Sequence, residues 1–170
     1  MSSLLIRLEE EDDIPSIQKM LQVVFDQPIE SNLISQLREQ NALAYSFVLE
    51  KGQDLIGHIA FSPVSLNEQE NMGLGLALVS ILPNYQHQGL GAALITHTLS
   101  YLQAHTTCPL VTVAGVPTYY QRFGFVSAKK LKMFFNIPLS EEYFMVKILN
   151  TECIKEGGII KYHPIFNLSF

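Results

Sequence analysis

The chain has 170 residues, of which 48% are apolar, so we predict one domain over residues 1–170 with enough material for a core. Its net charge of -5 and pI near 5.5 argue against a nucleic-acid partner, since a polyanion requires clustered Lys and Arg. No secretory leader is recognisable and no apolar run approaches about 18 residues, so we expect a cytoplasmic protein that does not engage the membrane. Cys108 and Cys153 are too few for a disulfide framework or a zinc site, and no metal is expected.

The hydrophobic pattern predicts alternating strands and helices. Leu4–Leu8 alternates like a first strand, and the acidic run before Pro15 predicts the start of a helix that ends near residue 25. A second, short helix is predicted over about residues 30–40, and a long one from Leu90 to about residue 104. Further strands are predicted at residues 44–49, 55–61, 76–81, 110–114, 134–137 and 144–148. The pattern therefore predicts an α/β protein with a mixed sheet of about seven strands.

The most informative stretch lies between the fourth strand and the long helix. Gly89 and Gly91 allow the backbone to approach a ligand closely, and the first N–H groups of a helix have no partner within it. A Walker loop is excluded because no Gly-Lys-Ser/Thr follows. A dinucleotide fingerprint is also excluded, because Leu94 occupies its third small position and residues 107–113 contain no acid. The stretch predicts a site for phosphate of another kind.

Three further segments accompany this loop. The loop itself, Gln86-x-x-Gly89-x-Gly91-Ala92, resembles the pyrophosphate-binding loop of the GNAT superfamily of acyl-CoA-dependent N-acetyltransferases. Residues 120–125 read Tyr-Gln-Arg-Phe-Gly-Phe and resemble the Tyr-x-x-x-Gly-Phe segment of that family. Residues 60–64 read Ala-Phe-Ser-Pro-Val and residues 162–166 read Tyr-His-Pro-Ile-Phe. With these segments the chain looks most like the small bacterial predicted N-acetyltransferases that carry Tyr-x-Arg-Phe-Gly-Phe and end in Tyr-His-x-x-Phe.

The resemblance implies the GNAT fold, in which about four helices flank a sheet that splays between strands four and five to admit pantetheine. It implies that acetyl-CoA is the co-substrate and that the loop and the end of strand four bind it. The implied pyrophosphate residues are Gln86, His87, Gln88, Gly89, Leu90, Gly91 and Ala92, and the implied pantetheine residues are Val79, Ser80 and Ile81. Many relatives have arginine at position 86, so binding of the phosphates here is expected to depend mainly on backbone N–H groups. The Ser80 hydroxyl is expected to bond to backbone, with a catalytic role as the alternative.

Tyr120 is the predicted general acid. It matches the tyrosine of the family segment, and a phenol with a pKa near 10 is protonated at neutral pH and can protonate a departing thiolate. The alternative is that Tyr120 only shapes the cofactor pocket. Tyr119 is expected in the core, and Arg122 is expected to have a structural role.

The general base is harder to assign, because strand four has no Glu or Asp where several family members place one. Glu30 is the leading candidate, since it lies in a segment that resembles the acceptor-site helices of relatives. Capping of the second helix is the alternative role for Glu30. His58 and His163 remain open as bases, as does a water relay from backbone carbonyls.

The resemblance implies an acyl-CoA-dependent N-acyltransferase that transfers acetyl to a primary amine by direct attack in a ternary complex. A non-catalytic acyl-CoA-binding or sensor module on the same fold is the alternative. The acceptor is expected to be a small-molecule or peptide amine. Because many relatives pair, a homodimer is a further expectation.

Overall fold

A computed structural model describes residues 2–168 of the chain, with the side chain of residue 168 not described. The chain forms two compact units. The first consists of Met1–Phe61 with Ala77–Ser100, and the second consists of Ser62–Leu76 with Tyr101–Phe170. The chain therefore passes between the units three times, within two strands and one helix.

Four α-helices and nine strands are present in the described residues. The helices are α1 (Ile14–Val24), α2 (Ile29–Glu39), α3 (Leu90–His105) and α4 (Pro117–Tyr120). The strands are β1 (Leu4–Leu8), β2 (Tyr45–Lys51), β3 (Asp54–Leu66), β4 (Gln69–Ile81), β5 (Leu110–Ala114), β6 (Val126–Ser127), β7 (Met133–Phe135), β8 (Phe144–Ile148) and β9 (Gly158–Lys161). The two short strands β6 and β9 bring the number of strands above the predicted seven.

The strands are hydrogen-bonded in the order β1-β2-β3-β4-β5-β8-β6, and β9 pairs with β3 and β7. Within the first unit β1, β2 and β3 are antiparallel. Within the second unit β4 and β5 are parallel through two residue pairs, Leu74 with Val111 and Gly75 with Thr112. The mixed α/β sheet predicted from the sequence is confirmed. The separation of β4 and β5 beyond this short ladder stays a prediction.

The two central strands are longer than the sequence predicted. The prediction ended β3 at residue 61 and began β4 at residue 76, directly after Gly75. In the structure Gly73 and Gly75 lie inside β4, where neighbouring side chains occupy the space that a Cβ would need. An ideal Cβ at Gly73 would lie 2.4 Å from Leu110 Cδ1. These glycines mark close packing of a strand rather than its end.

The first two helices follow the predicted pattern closely. α1 buries Ile17, Met20 and Leu21, which recur at helical spacing, and the proline-containing first turn matches the predicted start. α2 buries its own apolar stripe, including Leu33 and Leu37. Each such side chain contributes roughly 1.5–3 kcal/mol when it leaves water, which is why the amphipathic pattern determines these helices.

Candidate active site

The loop predicted to bind phosphate connects β4 to α3 in the first unit. After β4, Leu82 N–H donates to the carbonyl of Ile56 at 2.9 Å, and the chain makes one 3-10 turn over Pro83–Tyr85. His87 and Gly89 then take left-handed backbone conformations, with φ of 60° and 79°. The first bond of the helix runs from Ala93 N–H to the carbonyl of Gly89 at 3.0 Å. The backbone thus turns sharply and immediately enters a 16-residue helix.

The start of α3 is open to an anion. Leu90, Gly91 and Ala92 precede the first helical donor, so their N–H groups have no i-4 acceptor within the helix. Gly89 is exposed, and an ideal Cβ built on it meets no atom within 4 Å. The helix dipole adds a favourable potential for negative charge at this end. The loop therefore has the local geometry of a backbone anion site.

Two glutamine side chains hold the loop in shape. Gln86 Nε2 donates to the carbonyl of Ile81 at 2.9 Å, and Gln88 Nε2 donates to the carbonyl of Asn84 at 3.2 Å. Both amides therefore tie the loop to the end of β4 or to itself. This arrangement agrees with a cradle in which backbone N–H groups, rather than a cationic side chain, face the ligand.

The last three residues of β4 differ in exposure. Val79 is half-buried, whereas Ser80 and Ile81 are buried. The Ser80 hydroxyl is buried and makes no hydrogen bond with any described residue, so the predicted bond to backbone is wrong. A buried hydroxyl without a partner is costly, which makes Ser80 an unusual residue for a purely structural strand.

Glu30 lies in the first turn of α2, also in the first unit. The N-cap of α2 is Pro28, and no side-chain hydrogen bond caps this end, so the alternative role of Glu30 is a favourable interaction with the helix dipole as the acidic residue of the first turn. One carboxylate oxygen of Glu30, Oε2, is buried without a hydrogen-bond partner among the described residues. A carboxylate oxygen that is buried and unpaired is available to accept a proton or a hydrogen bond from a ligand N–H group.

Tyr120 lies at the end of α4, in the second unit. Its side chain is 9% exposed, and burial raises its pKa to about 12, with a smaller contribution from Tyr119. The ring packs edge-on against Tyr119 and Phe125 at centroid distances of 5.1 and 5.7 Å. It also covers Gly115, where an ideal Cβ would lie 2.3 Å from Tyr120 Cε2. Tyr120 is therefore held rigidly and is protonated at neutral pH.

Of the two neighbouring tyrosines, the structure buries Tyr120 and not Tyr119. Tyr119 was expected in the core, but it is only half-buried, and the guanidinium of Arg122 lies 4.6 Å from its ring centroid. The buried ring is that of Tyr120. Arg122 is exposed and makes a cation–π contact, and its structural role stays a prediction.

His58, an alternative base, is fully buried in the first unit. Ser46 Oγ donates to Glu9 Oε2, so His58 Nε2, 2.8 Å from that hydroxyl, must donate to it. Glu9 is also paired with Arg38. Burial lowers the pKa of His58 to about 4, with Glu9 raising it and Arg38 lowering it. An imidazole that is enclosed and neutral in this way does not meet an incoming amine.

His163, the other alternative, lies in the second unit and is half-buried. Its Nδ1 accepts from Ile165 N–H at 3.3 Å, and its carbonyl accepts from Phe166 N–H at 3.0 Å. These bonds assign His163 to the turn that begins the last helical segment of the chain.

The predicted site residues are distributed over both units. Val79–Ala92 and Glu30 belong to the first unit, and Tyr120 belongs to the second. Within the first unit the loop directly continues the strand segment that was predicted to bind pantetheine.

Comparison with known proteins identifies the family. Residues 42–127 match the family of the acetyltransferase (GNAT) domain. Over 167 residues the chain is 32% identical to YhbS, an uncharacterized N-acetyltransferase of Escherichia coli strain K12, and the match covers 96% of this chain and 99% of YhbS. The chain belongs to the GNAT family. It is also 28% identical over 122 residues to the uncharacterized N-acetyltransferase YjhQ of the same strain, which covers 69% of this chain and 67% of YjhQ.

Two solved structures of GNAT proteins are similar over almost the whole chain. One is E. coli YhbS in complex with CoA, with a TM-score of 0.91 and 31% identity, covering 98% of this chain and 93% of that chain. The other is a GNAT acetyltransferase of Brucella melitensis in complex with acetyl-CoA, with a TM-score of 0.81 and 29% identity, covering 98% and 99%. The predicted GNAT fold and the predicted class of enzyme, an acetyltransferase, are confirmed.

One pair of polar residues in this GNAT chain was missed in the sequence. The hydroxyls of Thr112 on β5 and Tyr162 after β9 lie 2.6 Å apart, and both residues are buried. Tyr162 begins the Tyr-His-x-x-Phe segment, so its motif was recognised although its partner was not. A threonine inside an apolar strand was the available signal for that partner.

Other groups with possible chemistry are unremarkable. No cluster of three or more His, Cys, Asp or Glu suited to a metal ion occurs in the described part of the chain. Within residues 2–168 no helix is long and apolar enough to cross a membrane. Burial raises the pKa of the Cys108 thiol, which lowers its thiolate fraction at neutral pH. Lys129 is exposed, and its ammonium group lies 3.9 Å from Glu141.

Proposed function

We propose that the protein is an acyl-CoA-dependent N-acyltransferase that transfers acetyl from acetyl-CoA to a primary amine by direct attack in a ternary complex. The observation that carries the proposal is the exposed start of α3, where the N–H groups of Leu90, Gly91 and Ala92 lack helical partners beside an open Gly89. Such a site suits the pyrophosphate of CoA, which two structurally similar GNAT proteins bind as CoA or acetyl-CoA.

The rest of the cofactor is assigned to the strand that precedes the loop. We propose that backbone groups of Val79, Ser80 and Ile81 hydrogen-bond the amides of pantetheine. The continuity of β4 with the loop supports this assignment, because a pyrophosphate held at Gly89 directs the pantetheine arm back along the strand.

Tyr120 is proposed as the acid that protonates the thiolate of CoA. Its pKa of about 12 keeps it protonated at neutral pH, so it can donate a hydrogen bond to the sulfur as negative charge develops there. Aromatic neighbours pack against the ring of Tyr120, but no described residue forms a hydrogen bond with its hydroxyl. The donor is therefore available to a ligand.

Glu30 is proposed as the base that takes a proton from the attacking amine. Its unpaired, buried Oε2 supports this role, as does the absence of acidic side chains from residues 72–81 of β4. The amine nitrogen forms the new C–N bond, the C–S bond breaks, the amine proton goes to Glu30 and the thiolate takes its proton from Tyr120. The acceptor is proposed to be a small-molecule or peptide amine.

Binding and turnover test the proposal separately. Calorimetry with dialysed protein should show acetyl-CoA binding in the micromolar range. CoA release should then be followed with spermidine, tyramine, Nα-acetyl-lysine amide and alanyl-alanine amide as acceptors. Binding without CoA release from any acceptor would favour the non-catalytic sensor, and loss of binding would contradict the cofactor site itself.

Tyr120→Phe should lower kcat about 100-fold or more and leave the Kd of acetyl-CoA within about twofold, since only the acid is lost. Tyr119→Phe is the matched control and should keep the wild-type kcat. Equal turnover of Tyr120→Phe and wild type would remove Tyr120 from the acid role.

Glu30→Gln should also lower kcat by about 100-fold or more, because the amine proton loses its acceptor. Glu39→Gln, an exposed change at the other end of α2, serves as its control. If Glu30→Gln and Glu39→Gln have the same kcat at every pH, Glu30 is not the base.

Three wider predictions belong with this function. We propose that residues 1–170 act as a single acyltransferase domain, that the protein is cytoplasmic and that it forms a homodimer. Native mass spectrometry of freshly purified protein would give the oligomeric state and reveal any retained CoA.

A further inference from the structure

The hydroxyls of Thr112 and Tyr162 form an isolated pair in the second unit. The two oxygens are 2.6 Å apart, and the residues are 0% and 5% exposed. Two hydroxyls carry two hydrogens, and only one of these can lie between the oxygens. Neither hydroxyl bonds to any other described residue. One buried O–H hydrogen is therefore left without an acceptor.

The pair is fixed at the parallel ladder of β4 and β5. Thr112 is the register partner of Gly75, and the ring of Tyr162 covers Gly75 so closely that an ideal Cβ there would lie 2.5 Å from Tyr162 Cε1. Phe166 packs edge-on against the same ring at 5.1 Å. The strand ladder, the glycine and the aromatic neighbour together leave the Tyr162 hydroxyl little freedom.

Tyr120 lies in the same neighbourhood. Its ring covers Gly115, the residue that follows β5, three positions after Thr112. Burial raises the pKa of Tyr162, the bond with Thr112 lowers it, and the Tyr120 phenol raises it further. Both phenols are protonated at neutral pH and can act only as neutral donors or acceptors.

Acyl transfer needs two donors close together. One must serve the departing sulfur, and the other must serve the carbonyl oxygen, on which negative charge develops when the amine attacks. Sulfur and oxygen are bonded to the same carbon, so a donor for the oxygen belongs beside the donor for the sulfur. With Tyr120 assigned to the sulfur, the unpaired hydrogen of the neighbouring hydroxyl pair has the required chemistry.

We propose that the Thr112–Tyr162 pair donates its remaining hydroxyl hydrogen to the carbonyl oxygen of the bound acetyl group. This assignment rests on the proposed function. When the amine forms its bond to the carbonyl carbon, the electron pair of the C=O bond moves to the oxygen, which this hydrogen bond stabilises without proton transfer. The electron pair on the oxygen re-forms the C=O bond when the C–S bond breaks, and the thiolate takes its proton from Tyr120.

Conservative variants that remove one hydroxyl each test the proposal. Tyr162→Phe and Thr112→Val should each lower kcat by at least about tenfold, and the residue that makes the direct contact should lose about 100-fold or more. The double variant should be no slower than the slower single variant, because the pair acts as one unit. Thr98→Val is the matched control, since Thr98 is equally buried but its hydroxyl donates to the carbonyl of Ile95 at 3.1 Å.

Affinity supplies an independent readout. Calorimetry should show that Tyr162→Phe binds acetyl-CoA several-fold more weakly than wild type but binds CoA, which has no acetyl carbonyl, equally well. All kcat values should be measured well below the melting temperature of each variant, with the amine of the four-member panel that supports the fastest CoA release by wild type.

Several results would overturn the proposal. Wild-type kcat in both single variants would do so, as would equal losses of affinity for CoA and acetyl-CoA, or rate losses that multiply in the double variant. If Tyr162→Phe fails to fold, Thr112→Val compared with Thr98→Val decides. If wild type releases no CoA with any amine, the proposed function fails and this assignment fails with it, whereas an active wild type with unaffected variants contradicts only the assignment.

Discussion

The buried imidazole of His58 should make the protein lose stability as the pH falls from 6.5 towards 4. The pKa of His58 is lowered to about 4 in the folded protein, mainly by burial, whereas its ordinary value of 6.5 applies to the unfolded chain. Between these values the unfolded state binds a proton that the folded state does not. Protonation therefore favours unfolding, and the stability that is present above pH 6.5 is lost on acidification.

The size of the effect follows from the two pKa values. Each pH unit between them costs about 1.4 kcal/mol, so the loss attributable to His58 reaches about 3 kcal/mol by pH 4. The pKa of Asp13 is lowered below 3.8, chiefly by its hydrogen bond with Arg7, so its contribution is lost only below this window. The stability lost between pH 6.5 and pH 4 is therefore attributed to His58 and not to Asp13.

Urea unfolding of wild type, His58→Gln and His97→Gln at pH 7 and pH 4 measures this loss. His97 is exposed on α3, so His97→Gln is the control for the replacement of a histidine by glutamine at a position without enclosure. His58→Gln should lose about 3 kcal/mol less than wild type on acidification. Equal losses in all three proteins would refute the reasoning. If His58→Gln does not fold, an NMR titration of wild type decides, because the His58 ring should remain neutral until the pH approaches 4.

Two glycine substitutions test the loop and the tyrosine. Gly89→Ala places a Cβ in open space but in a left-handed conformation with φ of 79°, so it should cost about 1 kcal/mol in urea unfolding and weaken acetyl-CoA binding measured by calorimetry. Unchanged affinity would contradict a pyrophosphate site at this loop. Gly115→Ala places its Cβ 2.3 Å from Tyr120 Cε2, so it should cost about 1–3 kcal/mol and lower kcat while loop-dependent CoA binding persists. A kcat equal to wild type would show that the position of this ring does not matter for turnover.

The elements that could be predicted were those with strong local signals. α1 and α2 have apolar residues at helical spacing, and the loop before α3 has glycines and a proline-started turn, so their positions follow from the chain itself. The parallel relation of β4 and β5 could also be predicted, because a helix of 16 residues joins them.

The features that could not be predicted depend on distant residues. β4 continues through Gly73 and Gly75 because Leu110 and Tyr162 fill the space beside them, and nothing within the strand reveals this. The neutrality of His58 likewise depends on burial, which lowers its pKa more than Glu9, 49 residues away in sequence, raises it. A histidine with an ordinary pKa could not be distinguished from this one by its neighbours in the chain.

The same reasoning separates the two candidate bases. Glu30 and His58 were both titratable residues with a plausible role, and their local sequences did not rank them. Packing does rank them, since His58 is fully buried, with Nε2 committed to Ser46 and Nδ1 enclosed without a partner, whereas Glu30 is half-buried and also keeps a carboxylate oxygen without a partner.

The two tyrosines proposed for the chemistry share one physical arrangement. Each ring lies directly on a glycine at or beside the β4–β5 ladder, Tyr162 on Gly75 and Tyr120 on Gly115. A ring pressed against a backbone without a Cβ cannot move closer, and its aromatic neighbours prevent it from moving away, so the hydroxyl at its far end is held in place. Catalytic donors need such fixation, because a hydrogen bond to developing charge is strongest when the donor does not have to reorganise. The glycines at positions 75 and 115 would then be as necessary for the reaction as the tyrosines, although no glycine atom takes part in it.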